Sequence, residues 1–289
     1  MRQLNEIARA EESMGIIVEL SSAFESIASI RISQTKDKVL QSTEFFRELW
    51  NIYRQLRVEN VFNFGRPADT KDVIDKDLYV IITAEGGFSG DIDLLLIRKM
   101  LERYDKAKND IIVIGHHGAI ELAQRGVEYK KYFKLPVTDK NINTMPIVRE
   151  VQKYRSTTVF YQEYITLLHQ EVRSIEVQFA INARAKDSDV DVINEKTYIF
   201  EPDAYSVAAH LERSMMQIAI SQLILNSKLA QYASRFRATS ASRERSTDEK
   251  AEIHLEYNRT KRALKDERLK EMIGGLKKSK LGAMNQWLA

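Results

Sequence analysis

Two segments that meet no helix breaker dominate the hydrophobic pattern of the chain. Between Glu201 and Ile273 the only proline is Pro202 and there is no glycine, so roughly 70 consecutive residues contain nothing that must end a helix. Apolar side chains recur there at Val207, Leu211, Met215, Ile218, Leu225, Leu229, Tyr232 and Phe236, mostly three, four or seven residues apart, which is the rhythm of a helix–helix seam. A helix of ~70 residues would be ~105 Å long at ~1.5 Å per residue, and it cannot bury such a stripe on itself. Residues 1–57 supply the partner. They hold one glycine, Gly15, and no proline, and Leu4, Ile7, Met14, Ile17, Leu20, Phe24, Ile27 and Ile30 repeat at helical spacing. Leu40, Phe45, Leu49, Trp50, Tyr53 and Leu56 then make a wider, bulkier face. The spacing predicts one long N-terminal helix paired with the C-terminal one; two shorter helices of an ordinary bundle are the alternative.

Between them the texture changes. Asn60 to Lys76, with Gly65, Pro67 and several charges, reads as a linker. Leu78 to Thr83 is a short β-rich apolar run, followed by a turn with Gly86, Gly87 and Gly90 and a helix from Asp91 to about Tyr104. Ile111 to Ile114, ended by Gly115, is a second buried strand. A short helix from His117 to Gln124, a third strand over Tyr132 to Leu135 and a helix opened by Pro146 follow. Thr157 to Tyr164 and Val172 to Phe179 are further strands, the second alternating and therefore expected half exposed at an edge; Ile193 to Phe200 is the last. Strand alternating with helix predicts a parallel sheet. The expected fold is α/β: a long antiparallel coiled coil of the N- and C-terminal helices (1–57 and 203–289) with an inserted Rossmann-like α/β domain (77–200).

Composition narrows the function classes. Charged residues make up 29% of the 289 residues, as suits long exposed helices, but the net charge is only +3, which does not point to nucleic acid. There is no cysteine, so disulfides, thiolate chemistry and Cys-based zinc sites are excluded. No apolar run is expected to reach the ~20 residues of a membrane span, and the first residues lack the apolar region of a signal peptide. A soluble, cytosolic chain is the expectation.

The glycine turn is where a doubly wound fold would hold a phosphate. The string Thr83-Ala84-Glu85-Gly86-Gly87-Phe88-Ser89-Gly90-Asp91 matches neither G-x-G-x-x-G nor the P-loop, and Glu85 and Asp91 would place negative charge beside the ligand. Ser89 with His116 or His117 would make a serine nucleophile without an acid in the usual order. Asp91 and Asp93 could bind a metal, but acids at a helix N-terminus are the simpler reading. His116 and His117 are adjacent and point apart, and His254 stands alone on a charged helix. No catalytic, cofactor or metal site is expected. Near the C-terminus the seam nearly vanishes between Phe236 and Ile253, and Lys261 to Lys280 holds eight bases against three acids. A solvated face is one reading; a rod tip inside a complementary sleeve is the other.

These residues resemble the gamma subunit of F-type ATP synthases. Leu4, Ile7, Ser13, Ala23, Phe24, Ile27 and Ala28 fall on the family pattern, with Phe24 where a methionine is usual. Thr83 to Asp93 is similar to the family's T-S-D-R-G-L-C-G-G-L-N, and Tyr198-x-Phe200-Glu201-Pro202-Asp203 to the opening of its C-terminal helix. Tyr257-Asn258-Arg259, Ala263 and Glu271-Met272-Ile273-Gly274-Gly275 resemble its closing signature. The departures are Glu11, Glu12 and Glu19 where the family is lysine-rich, Lys261-Arg262 in place of R-Q, Asp266 in place of a threonine, and an extension from Leu276 to Ala289.

The resemblance implies a non-catalytic rotor shaft of a proton-translocating ATP synthase, carrying no cofactor. Its partners would be a hexameric ring of catalytic and non-catalytic subunits, a small companion stalk subunit and a membrane rotor ring, at the cytoplasmic face of a bacterial plasma membrane. Phe24, Ile27, Lys261, Arg262, Met272, Ile273 and Leu276 are the expected ring contacts. The other readings are the shaft of a motor not coupled to protons, and an α/β ligand-binding module on a coiled-coil adaptor.

Overall fold

The breaker-free segments form two long helices, α1 over Leu4–Leu56 and α5 over Ala204–Gln286. In this computed structural model residues 4–56, 73–136, 142–177, 201 and 203–286 are described. Two compact units divide the chain: Met1–Glu25 with Thr239–Ala289, and Ser26–Ala238. α5 continues through Gly274 and Gly275, a tolerated cost of about 1 kcal/mol per glycine in a helix interior.

In the first unit the two helices run in opposite directions. Glu11 Oε1 lies 2.8 Å from His254 Nδ1, Ser21 Oγ donates to Ser242 Oγ at 3.5 Å, and Arg243 Nε donates to Glu25 Oε2 at 2.7 Å. On α1, Leu4, Ile7, Glu11, Met14, Val18, Ser21 and Glu25 are buried or half-buried, in alternating steps of three and four. This corrects the expected seam, since Ile17 and Leu20 are 42% and 53% exposed. The physical reason is that a three-four rhythm fits two neighbouring stripes of one helix equally well, and the partner chooses between them. Here the chosen stripe carries Glu11 and Glu25, which α5 meets with His254 and Arg243. The weak seam of α5 is filled by small hydroxyl residues: Thr239 and Ser246 are buried and Ser242 half-buried.

In the second unit the α1 stripe continues through Ala28, Ile32, Thr35, Val39, Ser42, Phe46 and Leu49, whereas Ile27 and Ile30 are 51% and 58% exposed. Gln222 Nε2 of α5 donates to Thr43 Oγ1 at 2.8 Å. The sheet has five strands: β1 (Ile74–Ile82), β2 (Asn109–Ile114), β3 (Lys131–Phe133), β4 (Tyr154–Tyr164) and β5 (Gln170–Glu176). Their order is β3-β2-β1-β4-β5, all parallel except β5, which pairs antiparallel with β4 at the edge. β1 begins inside the expected linker, whose residues 60–72 lie outside the described residues, as do residues 178–179 of the expected edge strand and the strand expected at 193–200.

Alternation along the strands makes two cores. Leu78, Val80, Ile82, Ile112, Ile114, Val159 and Tyr161 face one way, onto α4 (Met145–Val151), Phe46 and Trp50 of α1, and Met215, Met216, Ile220 and Ile224 of α5. Ile81, Ile111, Val113 and Phe160 face the other way, onto α2 (Ile92–Leu101) and α3 (His116–Gln124).

α1 also holds an 18-residue stretch of mean hydropathy 1.3, only 11% of it buried, which has the length and composition of a membrane span. The expectation of no such run is therefore corrected. Closely spaced Ile16, Ile17, Val18 and Leu20 raise the mean of the stretch, although Glu19 interrupts any unbroken apolar run.

Candidate functional site

The turn after β1 is held from α5. Arg235 Nε donates to the carbonyl of Gly87 at 3.1 Å, and its Nη2 to the carbonyl of Gly86 at 3.2 Å and to Ser89 Oγ at 3.4 Å. Ser234 Oγ donates to the Ser89 carbonyl at 2.6 Å. A phosphate-binding turn offers N–H groups to its anion; here a guanidinium gathers carbonyls. Burial pushes the Arg235 guanidinium below its ordinary range. Ser89 is 2% exposed and bonded to Arg235, so it is not presented to a substrate. Phe88 has φ 64° and is 66% exposed, which puts it out on the surface of the turn.

Beneath the turn lies a buried polar relay. Asp93, 5% exposed, accepts from Gln162 Nε2 at 2.8 Å and from the backbone N–H of Ala84 at 3.3 Å. His117 Nδ1 lies 3.3 Å from Asp93 Oδ2, and this bond raises the His117 pKa above its ordinary value, against the opposing effect of burial. Gln162 Oε1 accepts from Ser227 Oγ and, at 3.2 Å, from Gln231 Nε2, both on α5. Two glycines let the loops approach. A Cβ on Gly115, at φ +100°, would sit 2.0 Å from the Thr83 carbonyl oxygen, and one on Gly118 would sit 2.7 Å from Thr83 Oγ1. Thr83 Oγ1 itself accepts from the Gly118 N–H at 2.9 Å.

Of the candidate site residues, Ser89, His117 and Asp93 come into one neighbourhood, but as a structural relay. Asp91 is the N-cap of α2, whereas Asp93 is turned inward. Among the described residues no group of three or more His, Cys, Asp or Glu side chains could hold a metal. His254 does not stand alone: it bridges Glu11 and, at 2.9 Å, Asn258. The expected ring contacts lie on the helices. Phe24 is half-buried; Ile27, Met272, Ile273 and Leu276 are 51%, 62%, 46% and 64% exposed. Arg262 is exposed, and Lys261 Nζ lies 5.4 Å above the centre of the Tyr257 ring on its own helix.

A family model described as ATP synthase matches residues 3–277. Curated relatives carry the name ATP synthase gamma chain. The one from Mycoplasmoides gallisepticum is 22% identical over 96% of this chain and 100% of its own length, and one from Staphylococcus aureus is 21% identical over 95% and 98%. The chain belongs to the ATP synthase gamma-chain family. Solved structures share its fold. The central stalk and c-ring structure of the Tetrahymena thermophila mitochondrial ATP synthase matches with a TM-score of 0.58 and 16% identity, over 77% of this chain and 98% of that one. The rotor of the Euglena gracilis mitochondrial enzyme matches with a TM-score of 0.52 and 17% identity, over 88% and 99%.

For a gamma chain the useful finding is mechanical. Ser227, Gln231, Ser234 and Arg235 occupy one continuous stretch of α5 and grip β1, β4 and the glycine turn. The sequence reading missed them. Their signal was the buried polar set Ser227, Lys228, Gln231 and Ser234 between Leu225 and Phe236, where an apolar seam had been traced.

Proposed function

We propose that this gamma-family chain is the central-stalk rotor of an F-type ATP synthase, a non-catalytic subunit whose long helices pair as an antiparallel coiled coil. Its domains are then a coiled coil of residues 1–57 and 203–289 and a Rossmann-like insert over 77–200. The ring of catalytic subunits surrounds the shaft, and the insert meets the membrane rotor ring and a small companion subunit, at the cytoplasmic face of a membrane. An asymmetric shaft presents a different face to each catalytic site, so rotation changes nucleotide affinity by differential contact. Phe24, Ile27, Lys261, Arg262, Met272, Ile273 and Leu276 supply ring contacts. The α5 residues that grip the glycine turn transmit torque between insert and shaft. The observation that carries this reading is the family match across residues 3–277.

The reading is tested by purifying the chain from its own cells under native conditions and measuring the mass and nucleotide content of what accompanies it. A large hetero-complex with one copy of this chain, and nucleotide only on the other subunits, is expected. A free monomer or homodimer that binds nucleotide itself overturns the proposal.

A further inference from the structure

In the Ser26–Ala238 unit, α1, α5 and the β4–β5 edge do not close completely on one another. Between them lies a cavity of about 220 Å³, walled by Phe46 and Trp50 of α1, Tyr161 and Glu163 of β4, and Gln222 and Asn226 of α5. That volume exceeds the roughly 150 Å³ of an apolar cavity that takes benzene, and falls short of the roughly 300 Å³ at which drug-sized pockets begin. One ring with a short head group fits it. The walls are not uniformly apolar. Tyr161 is only 7% exposed, yet its hydroxyl has no hydrogen-bond partner among the described residues and is not sealed from solvent. Burial, with the Glu163 charge beside it, pushes this phenol above its ordinary pKa, so it stays protonated. Glu163 holds Arg173 Nε at 2.6 Å from its Oε2, and its Oε1 has no hydrogen-bond partner among the described residues. The half-buried Asn226 amide is likewise unbonded there, and Gln222 donates its Nε2 to Thr43 Oγ1 at 2.8 Å. A polar group buried this deeply and left without a partner calls for one.

We propose that this cavity is a binding site for a small aromatic amine or amidine, its ring against Phe46 and Trp50 and its N–H groups donating to Glu163 Oε1 and the Tyr161 oxygen. Charge chooses the head group. A second anion would meet the Glu163 carboxylate in a poorly solvated space, whereas an ammonium or amidinium offsets that charge and is attracted to the aromatic faces. A purely apolar ring would shut in the Tyr161 hydroxyl and the Asn226 amide without partners, which is costly. Because the walls come from α1, α5 and the sheet edge together, an occupant bridges both helices to the insert and stabilises the folded unit by mass action. The site is independent of the shaft assignment, since every wall belongs to this one unit.

The experiment labels the full-length chain with 5-fluorotryptophan and titrates it with benzamidine while fluorine NMR is recorded. The chain has two tryptophans, Trp50 and Trp287, so a Trp287→Phe background leaves Trp50 as the single reporter. Benzamide, of the same shape without the charge, is the control ligand, and Glu163→Gln and Tyr161→Phe are titrated in parallel after thermal unfolding has shown each to be folded. The expected result is a saturable shift of the Trp50 signal at millimolar benzamidine and weaker binding of benzamide. Glu163→Gln should bind benzamidine about tenfold more weakly, as loss of a charge-assisted hydrogen bond implies, with a smaller loss in Tyr161→Phe. Where Glu163→Gln does not fold, the benzamide comparison and Tyr161→Phe decide. No saturable shift of Trp50 overturns the proposal and leaves a gap filled by water. Equal binding of benzamide and benzamidine overturns it as well, because the head group then decides nothing. A crystal structure with a segment of this chain seated in the cavity overturns it in favour of that occupant.

Discussion

Arg235 shows how one side chain ties a helix to a loop. Its fork reaches the Gly86 and Gly87 carbonyls and Ser89 Oγ, so Arg235→Ala removes three charge-assisted hydrogen bonds, two of them part-buried, and should cost about 1–3 kcal/mol in denaturant unfolding. Arg235→Lys should recover only part of this, because an ammonium cannot reproduce the fork. Gly118→Ala drives a Cβ to 2.7 Å from Thr83 Oγ1 and should destabilise by about 1–3 kcal/mol in the same measurement. His117 gives a pH signature. Its folded pKa is raised above the ordinary 6.5, chiefly by the bond to Asp93. The stabilisation it contributes is therefore complete below the unfolded pKa and lost as pH rises through the folded value. Thermal midpoints of the natural chain should fall across that window more steeply than those of His117→Gln, which lacks the titrating group. None of these roles was legible from motifs, because the string around Ser89 and His117 reads as failed phosphate or nucleophile chemistry until Arg235, distant in sequence, is brought against it.

The two helices show what periodicity can and cannot do. The absence of proline and the scarcity of glycine are local properties, so α1 and α5 were predictable as single helices, α5 even through Gly274 and Gly275. The face that each buries is not local. Ile7 is 1% exposed and Ile17 42%, although both belong to one apolar pattern. Ile7→Ala should cost about 2–5 kcal/mol, and Ile17→Ala should change stability of the isolated chain by no more than about 0.5 kcal/mol. Thermal unfolding of the two variants separates a buried stripe from an exposed one. The strands were readable because β1, β2 and β4 are central and apolar on both faces. β5 announced its edge position through alternation.

For the chain acting as a shaft, the end of α5 is the most telling region. Met272 and Leu276 are 62% and 64% exposed and take no part in either sheet core. A truncation after Glu271 should therefore leave the thermal unfolding of the Ser26–Ala238 unit unchanged while weakening the coupling of ATP hydrolysis to rotation in the assembled complex. Single-complex rotation assays against the full chain measure that difference, and unchanged torque would count against a ring contact at Met272, Ile273 and Leu276. Helix–sheet–helix order, the strand sequence, the glycine-turn position and the family resemblance all followed from the amino-acid sequence, because they depend on breakers, alternation and short strings that act over a few residues. Tertiary structure alone decided which stripe of α1 is buried, how Glu11 and Glu25 find His254 and Arg243, that Ser227 reaches β1, and that Ser234 and Arg235 grip the turn. Those outcomes depend on side chains some 140 to 240 positions apart in the chain, and a three-four repeat is degenerate until the partner helix supplies the matching charges and small residues.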